Sequence, residues 1–317
     1  MKRPKYLIAF ILILVFLFLV IFPSAAVSSA RSGLLLWFKV ILPTLLPFMI
    51  ISKLLIETNS VYGFSFLFSA PCKKILSLSN SGTFVILTGF LCGYPMGAKL
   101  TSDLYLHHQL SRNEALYLLS FCNNLSPMFI SSYLTLTCLD APKLLPLLIL
   151  IIYGVPLLFA LLLQPFYRKQ SQEETSPIIE LPATVRPLPF EAIDNSIMDS
   201  FTQITKLGGY IILFSILSGM FLSFPLPVNI LALITGTTEI TTGLNYIAIQ
   251  NFPLSLRLLL CIPICVFGGL SGLMQTYSMI KDTDLTFSPY IKAKLIQSAM
   301  ALLFTILFLQ LYLKTPC

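Results

Sequence analysis

Charge is what this chain has least of. Only 10% of its 317 residues are Asp, Glu, Lys or Arg, against roughly 25% in a soluble domain. So few polar side chains could not cover a water-facing surface, which excludes a soluble globular protein. Histidine is nearly absent: His107 and His108 sit side by side in one segment. That removes imidazole ligands and imidazole bases from the apolar segments. No GxGD motif, paired-carboxylate site or metal-ligand cluster appears, so no enzyme, metal or cofactor is expected. The 7 cysteines form no CxxC pair and lie mostly in apolar runs, where Cys behaves as a small hydrophobe. Their odd number argues against a complete disulfide framework. Lys and Arg exceed Asp and Glu by 20 to 13. They form no basic stripe with interleaved aromatics, so nucleic acid is not expected as a partner.

Long apolar runs are what the chain has in abundance. Hydrophobic residues make up 56%, and the mean hydropathy is +0.87. The runs 6–22, 34–56, 115–137, 144–166, 207–224, 256–279 and 290–313 each have about the 17–25 residues of a bilayer crossing. Two more are interrupted. Stretch 83–108 breaks at Gly93-Tyr94-Pro95-Met96-Gly97, and 228–250 breaks at Gly236-Thr237-Thr238-Glu239 and at Gly243. Glycine and proline break helices, and unwound backbone at membrane depth is tolerated only inside protein or beside a polar cavity. Both stretches therefore read as re-entrant helical hairpins.

With the N-terminus inside and two hairpins, 15 of the 20 basic residues, Lys292 and Lys294 among them, fall in inner loops; if both stretches spanned, the split would be 10 to 10. The positive-inside rule selects the hairpins. For 228–250 alone the margin is thin, since letting only that stretch span still gives 14 to 6. The run 6–22 slightly exceeds the ~7–15 apolar residues of a signal peptide and reads as an uncleaved span.

Four segments follow: an N-terminal transmembrane anchor and loop at 1–33, a membrane repeat at 34–166, a polar cytoplasmic linker at 167–189, and a surface helix with a second membrane repeat at 190–317. After the linker, Phe190, Ile193, Ile197, Phe201 and Ile204 recur at helical spacing, which predicts an amphipathic helix on the inner surface. Gly89 and Gly236 are 147 apart, Gly97 and Gly243 146, and Asn124-Leu125-Ser126-Pro127 and Gly269-Leu270-Ser271-Gly272 145. A repeat of span, hairpin, span, span makes three crossings, so the second copy must be inverted, as in many transporters. The expected fold is an all-α polytopic transmembrane bundle of two inverted repeats, each with a re-entrant hairpin, plus an extra N-terminal span.

Among the acidic residues only Glu239 lies in the middle of an apolar stretch. A carboxylate there costs several kcal/mol unless paired or hydrated. Thr238 and Thr242 flank it at a helix break. The facing span supplies Asn123, Asn124 and Ser126, and its counterpart Ser271 and Gln275. These eight are the candidate solute-binding residues, with Gly93, Tyr94, Pro95, Gly97, Gly236 and Gly243 at the hairpin tips. Packing and interhelical hydrogen bonds are the structural alternative for all of them. Gly269-Leu270-Ser271-Gly272 has the form of a rhomboid-protease nucleophile motif, but that chemistry needs a later histidine, and none follows. Lys99 could pair with Glu239, although its place after the first tip puts it nearer the inner surface.

The run GFLCGYPMGAKLTSDLYLHHQLSRNEALYLLSFCNNLSPMFI at 89–130, with GTTEITTG at 236–243 and GGLSG at 268–272, resembles the sporulation integral membrane protein family of the YlbJ type, within the nucleoside-recognition, or Gate, superfamily. The resemblance implies a multi-pass protein of a sporulating Firmicute, in the mother-cell or forespore membrane, required for making the spore cortex. It also implies a transporter-like arrangement in which hairpin tips bind substrate. The expected partners are the lipid bilayer and a small polar solute such as a nucleoside, and a homo-oligomer is compatible with the sequence. The alternative is a non-transporting scaffold of the sporulation membranes.

Overall fold

A computed structural model describes residues 5–173 and 187–312. Arg186, most of the expected linker and the C-terminal end at 313–317 lie outside the described residues. Helix α1 (Lys5–Ile21) turns at Phe22 into α2 (Pro23–Leu36), which runs through a π-helical segment, π1 (Trp37–Ile41), into α3 (Leu42–Glu57). Together α2, π1 and α3 form one apolar helix of 35 residues, so the crossing expected at 34–56 begins at Pro23. The widening at π1 has a local cause. Pro43 has no N–H to give and its ring crowds the carbonyl four residues back, while Thr44 Oγ1 donates to Val40 O at 2.6 Å.

Helix α4 (Val61–Leu76) fills a stretch for which the sequence predicted no element. It meets α5 (Asn80–Cys92) at an angle of 101°. Helices α5 and α6 (Met96–Leu106) pack together as the first hairpin. The run 115–137, expected as one crossing, is broken: α7 (Arg112–Leu119) gives way to non-helical backbone through Ser126, and a second π-helix, π2 (Phe129–Cys138), follows. Pro127 ends the intervening loop because it cannot continue an upstream helix. Helix α8 (Leu145–Glu173) returns as a long crossing.

The second half opens with α9 (Phe190–Leu222), one helix of 33 residues. The expected surface helix and the crossing after it are therefore continuous. Its buried face carries Ser196, Ser200 and Ile204, while Phe190 and Phe201 point outward. Small side chains let α9 lie close against α2 and α3. Trp37 Nε1 donates to Ile204 O at 2.8 Å, and Lys53 pairs with Asp199. Helices α10 (Val228–Thr238) and α11 (Ile240–Ile249) form the second hairpin. Helices α12 (Leu254–Phe267) and α13 (Gly269–Ile280) are separated by Gly268, whose φ of +93° lies in the left-handed region that glycine adopts freely. Helix α14 (Ser288–Tyr312) closes the bundle.

Packing between the halves is reciprocal. Helix α6 touches α13, and α11 touches π2; α7 touches α14, and α12 touches α8. Both hairpins cross at the glycines that share a sequence offset. A Cβ on Gly89 would lie 3.1 Å from Gly97 Cα, and a Cβ on Gly243 would overlap the Gly236 backbone. Among the described residues, five helices are long and apolar enough to cross a membrane, or six if the bent α4–α5 pair counts as one.

Candidate functional site

Hairpin tips and broken helices meet in the middle of the bundle. Tyr94, at the first tip, donates its backbone N–H to Asn124 O at 2.6 Å, so the tip is bonded into the open backbone of the α7–π2 break. Its ring lies against α13, where a Cβ on Gly272 would come within 3.4 Å of it. The second tip is Glu239 itself. Its backbone is extended (φ −145°, ψ 120°), and it caps α11. Its side chain is 5% exposed and accepts from Thr241 N at 3.1 Å, Thr242 N at 2.7 Å and Thr242 Oγ1 at 2.9 Å, with Thr241 Oγ1 as a fourth donor. A carboxyl group on the first amides of a helix gains both hydrogen bonds and the helix dipole.

Between the tips lies a cavity of about 280 Å³. Glu239, Tyr94, Ser126, Ser271 and Gln275 line it, with Lys39 on another wall. Both π-helices contribute, π1 through Lys39 to Ile41 and π2 through Phe129, Ser132, Tyr133 and Thr137. Insertions of this kind recur at functional sites because the widened turn redirects side chains and frees carbonyls. Gln275 Nε2 donates to Ser271 Oγ at 3.0 Å, which orients an amide and a hydroxyl on the α13 wall.

Asn123 and Asn124 lie behind the first tip and do not line this cavity. Asn123 Nδ2 donates to Thr276 Oγ1 at 2.7 Å and to Tyr290 Oη at 3.1 Å, and its Oδ1 accepts from Ala98 N at 3.4 Å. Asn124 Nδ2 donates to Phe121 O at 2.7 Å, and its Oδ1 accepts from Lys294 Nζ at 3.2 Å. Lys294 is 2% exposed, within α14 rather than in an inner loop. It shares a helix face with Tyr290 and with Gln297, whose Nε2 donates to Ser120 O at 2.7 Å. This face of α14 supplies partners to the backbone and side chains of the α7–π2 break, which would otherwise be unsatisfied in the apolar interior.

The geometry thus brings Glu239, Ser126, Ser271, Gln275, Gly93 and Tyr94 to one cavity. Thr242 reaches Glu239 but lines a neighbouring pocket. Thr238 turns back to Ile234 O at 2.7 Å, Pro95 precedes α6 as its N-cap, and Gly97 packs on Cys122 O. Lys99 pairs with Asp103 on its own helix rather than with Glu239. Lys39, Tyr133 and Lys294 were missed. The rule that singled out Glu239, an ionisable residue inside an apolar run, applies equally to Lys39 in 34–56 and Lys294 in 290–313.

No family model matches the chain, and no solved structure matches it. It is 29% identical over 318 aligned residues, covering 90% of this chain and 78% of the relative, to the sporulation integral membrane protein YlbJ of Bacillus subtilis (strain 168). That similarity along nearly its whole length supports a place in the YlbJ family of sporulation integral membrane proteins, and with five long apolar helices the chain is a multi-pass protein of the cell membrane.

Proposed function

We propose that this protein acts in sporulation, in formation of the spore cortex, as a transporter or permease-like protein that holds a small polar solute between its two hairpin tips. The observation that carries this reading is the central cavity, where two tips, two π-helices and the buried Glu239 converge. A packed scaffold has no need of a cavity holding a buried carboxyl group at the meeting point of its broken helices. Reciprocal packing of the halves, and glycine crossings at a common offset, support two inverted repeats, the arrangement in which rocking of one half against the other exposes a central site alternately. One acidic and one basic side chain line the cavity, so it suits a neutral or zwitterionic solute, a nucleoside being one neutral candidate, better than a phosphate.

One observation favours the scaffold alternative: all four hydrogen bonds to Glu239 come from its own hairpin, as they would for a purely structural cap. Gln275 separates the two readings because it lines the cavity and caps nothing. In proteoliposomes supplied with radiolabelled uridine, alanine or glycerol, uptake above protein-free liposomes is expected for at least one solute. Gln275→Ala should reduce it roughly tenfold, the effect of about 1.4 kcal/mol. In cells, Gln275→Ala should lower the yield of heat-resistant spores while vegetative growth continues. Absence of uptake for all three solutes, together with normal spores from Gln275→Ala, would establish the scaffold.

A further inference from the structure

A second cavity of about 370 Å³ adjoins the first. The two share three lining residues, Leu36, Tyr133 and Thr241. Beyond that wall the lining mixes polar and apolar groups: Ser28, Ser29, Ser32, Ser215, Thr242 and Asn245 present hydroxyls and one amide beside Leu222, Tyr246 and Ile249, and no charged residue takes part. Ser215 is the most telling member. It is 1% exposed, and among the described residues its Oγ makes no hydrogen bond. A buried hydroxyl without a partner is costly, and this one borders the space where water or a polar solute would satisfy it.

The position of the pocket gives it a direction. Helices α2 and α9 run antiparallel, since a Cβ on Gly33 would meet Ser215, and one on Gly219 would meet Ser29. The pocket therefore lies toward the end of the bundle where α2 begins and α9 ends, and where α11 also ends, at Ile249. Ser28, Ser32 and Asn245 are exposed there. The inner wall is closed by one hydrogen bond between the halves, Tyr133 Oη donating to Thr241 O at 3.0 Å. Thr241 and Thr242 are also the residues that bond Glu239, so movement at this wall reaches the carboxyl group of the tip directly.

We infer that the hydroxyl-lined pocket is a water-filled vestibule binding neutral, hydroxyl-rich solutes, and that Tyr133 is the gate between it and the central cavity. The path rests on the transport reading at its inner end only; water access to the vestibule is a separate property and is measured separately. The test is labelling of the full chain in native membranes with a charged, membrane-impermeant methanethiosulfonate reagent, which modifies thiols only where water reaches them. Ser32→Cys and Asn245→Cys should be modified above the background of the unsubstituted chain. Leu35→Cys, on an exposed face of α2 that lines neither cavity, should not be. Ser271→Cys, in the central cavity, should react several-fold faster when Tyr133→Phe removes the hydroxyl and keeps the ring. Protection of both Ser32→Cys and Asn245→Cys in membrane-inserted protein would overturn the vestibule. Equal Ser271→Cys rates with and without Tyr133→Phe would overturn the gate. Labelling as expected, in a protein that moves none of the three solutes above, would reject transport and leave the vestibule standing.

Discussion

Glu239 and Lys294 both lie buried in apolar stretches of this molecule, and their side chains are held in opposite ways. Glu239 takes all its hydrogen bonds from residues two and three places along the chain, so its environment forms as soon as α11 forms. Lys294 relies on Asn124, 170 residues earlier, so its environment exists only when the two halves are assembled. Among the described residues no acidic side chain pairs with it. The asymmetry of a broken pair follows from this. Asn124→Ala removes the acceptor and leaves the amine buried, a loss of about 1.5–3 kcal/mol for a hydrogen bond of this type. Lys294→Met removes the amine and leaves only an amide oxygen unpaired, while the methionine fills most of the space. Thermal unfolding of detergent-solubilised protein should place Asn124→Ala clearly below Lys294→Met, with the double variant no worse than Asn124→Ala alone. Lys294→Met as the least stable of the three would show that the amine itself contributes net stability.

At the scale of elements, half-helices do the positioning, and glycine decides how close they come. A Cβ on Gly243 would enter the backbone of Gly236, whereas one on Gly209, mid-helix in α9, would meet nothing within 4 Å. Gly243→Ala should therefore destabilise by at least the ~1–3 kcal/mol of an overpacked contact, and Gly209→Ala should stabilise by roughly 0.5–1 kcal/mol through helix propensity. Unfolding temperatures in detergent measure both, and a neutral Gly243→Ala would mean that the hairpin is not closed at this crossing. Both hairpins could be read from the sequence because glycine and proline punctuate them locally. The break inside 115–137 carries one such signal, Pro127, which frees a carbonyl near Asn123, but the extent of the break could not be read. Ser120 to Ser126 contains no glycine, and what holds the backbone open there is remote: Gln297 on Ser120 O, Tyr153 Oη on Leu125 O at 2.8 Å, and Tyr94 N on Asn124 O. The candidate site was legible in the same proportion. Glu239, Ser271 and Gln275 stand out by type and place, whereas the roles of Asn123 and Asn124 are set by partners on α13 and α14 that no local pattern announces.

At the scale of the whole molecule, two ion pairs join the halves among the described residues. Lys53, on α3, pairs with Asp199, on α9, 146 positions along the chain. The other tie lies outside the apolar runs. Asp284, between α13 and α14, accepts from Tyr105 Oη at 2.7 Å and from Arg112 Nε at 3.2 Å. The Tyr105 hydroxyl first, and the Arg112 guanidinium after it, hold the Asp284 carboxyl below its usual range. The sign of the linkage follows. A carboxyl whose folded pKa is depressed contributes stability above its unfolded pKa of ~3.9 and loses it as the pH falls through the folded value. Because Arg112 and Asp284 are largely exposed, the contribution at neutral pH stays within the ~0–1 kcal/mol of a surface pair. Asp284→Asn should therefore unfold slightly earlier than the unsubstituted protein at pH 7, by the same margin at pH 5, and the two should converge below about pH 4 as the carboxyl is protonated. A margin that persists undiminished at pH 3 would show that Asp284 acts through packing and not through its charge, and the tie between the α6–α7 and α13–α14 connections would then rest on the Tyr105 side chain alone.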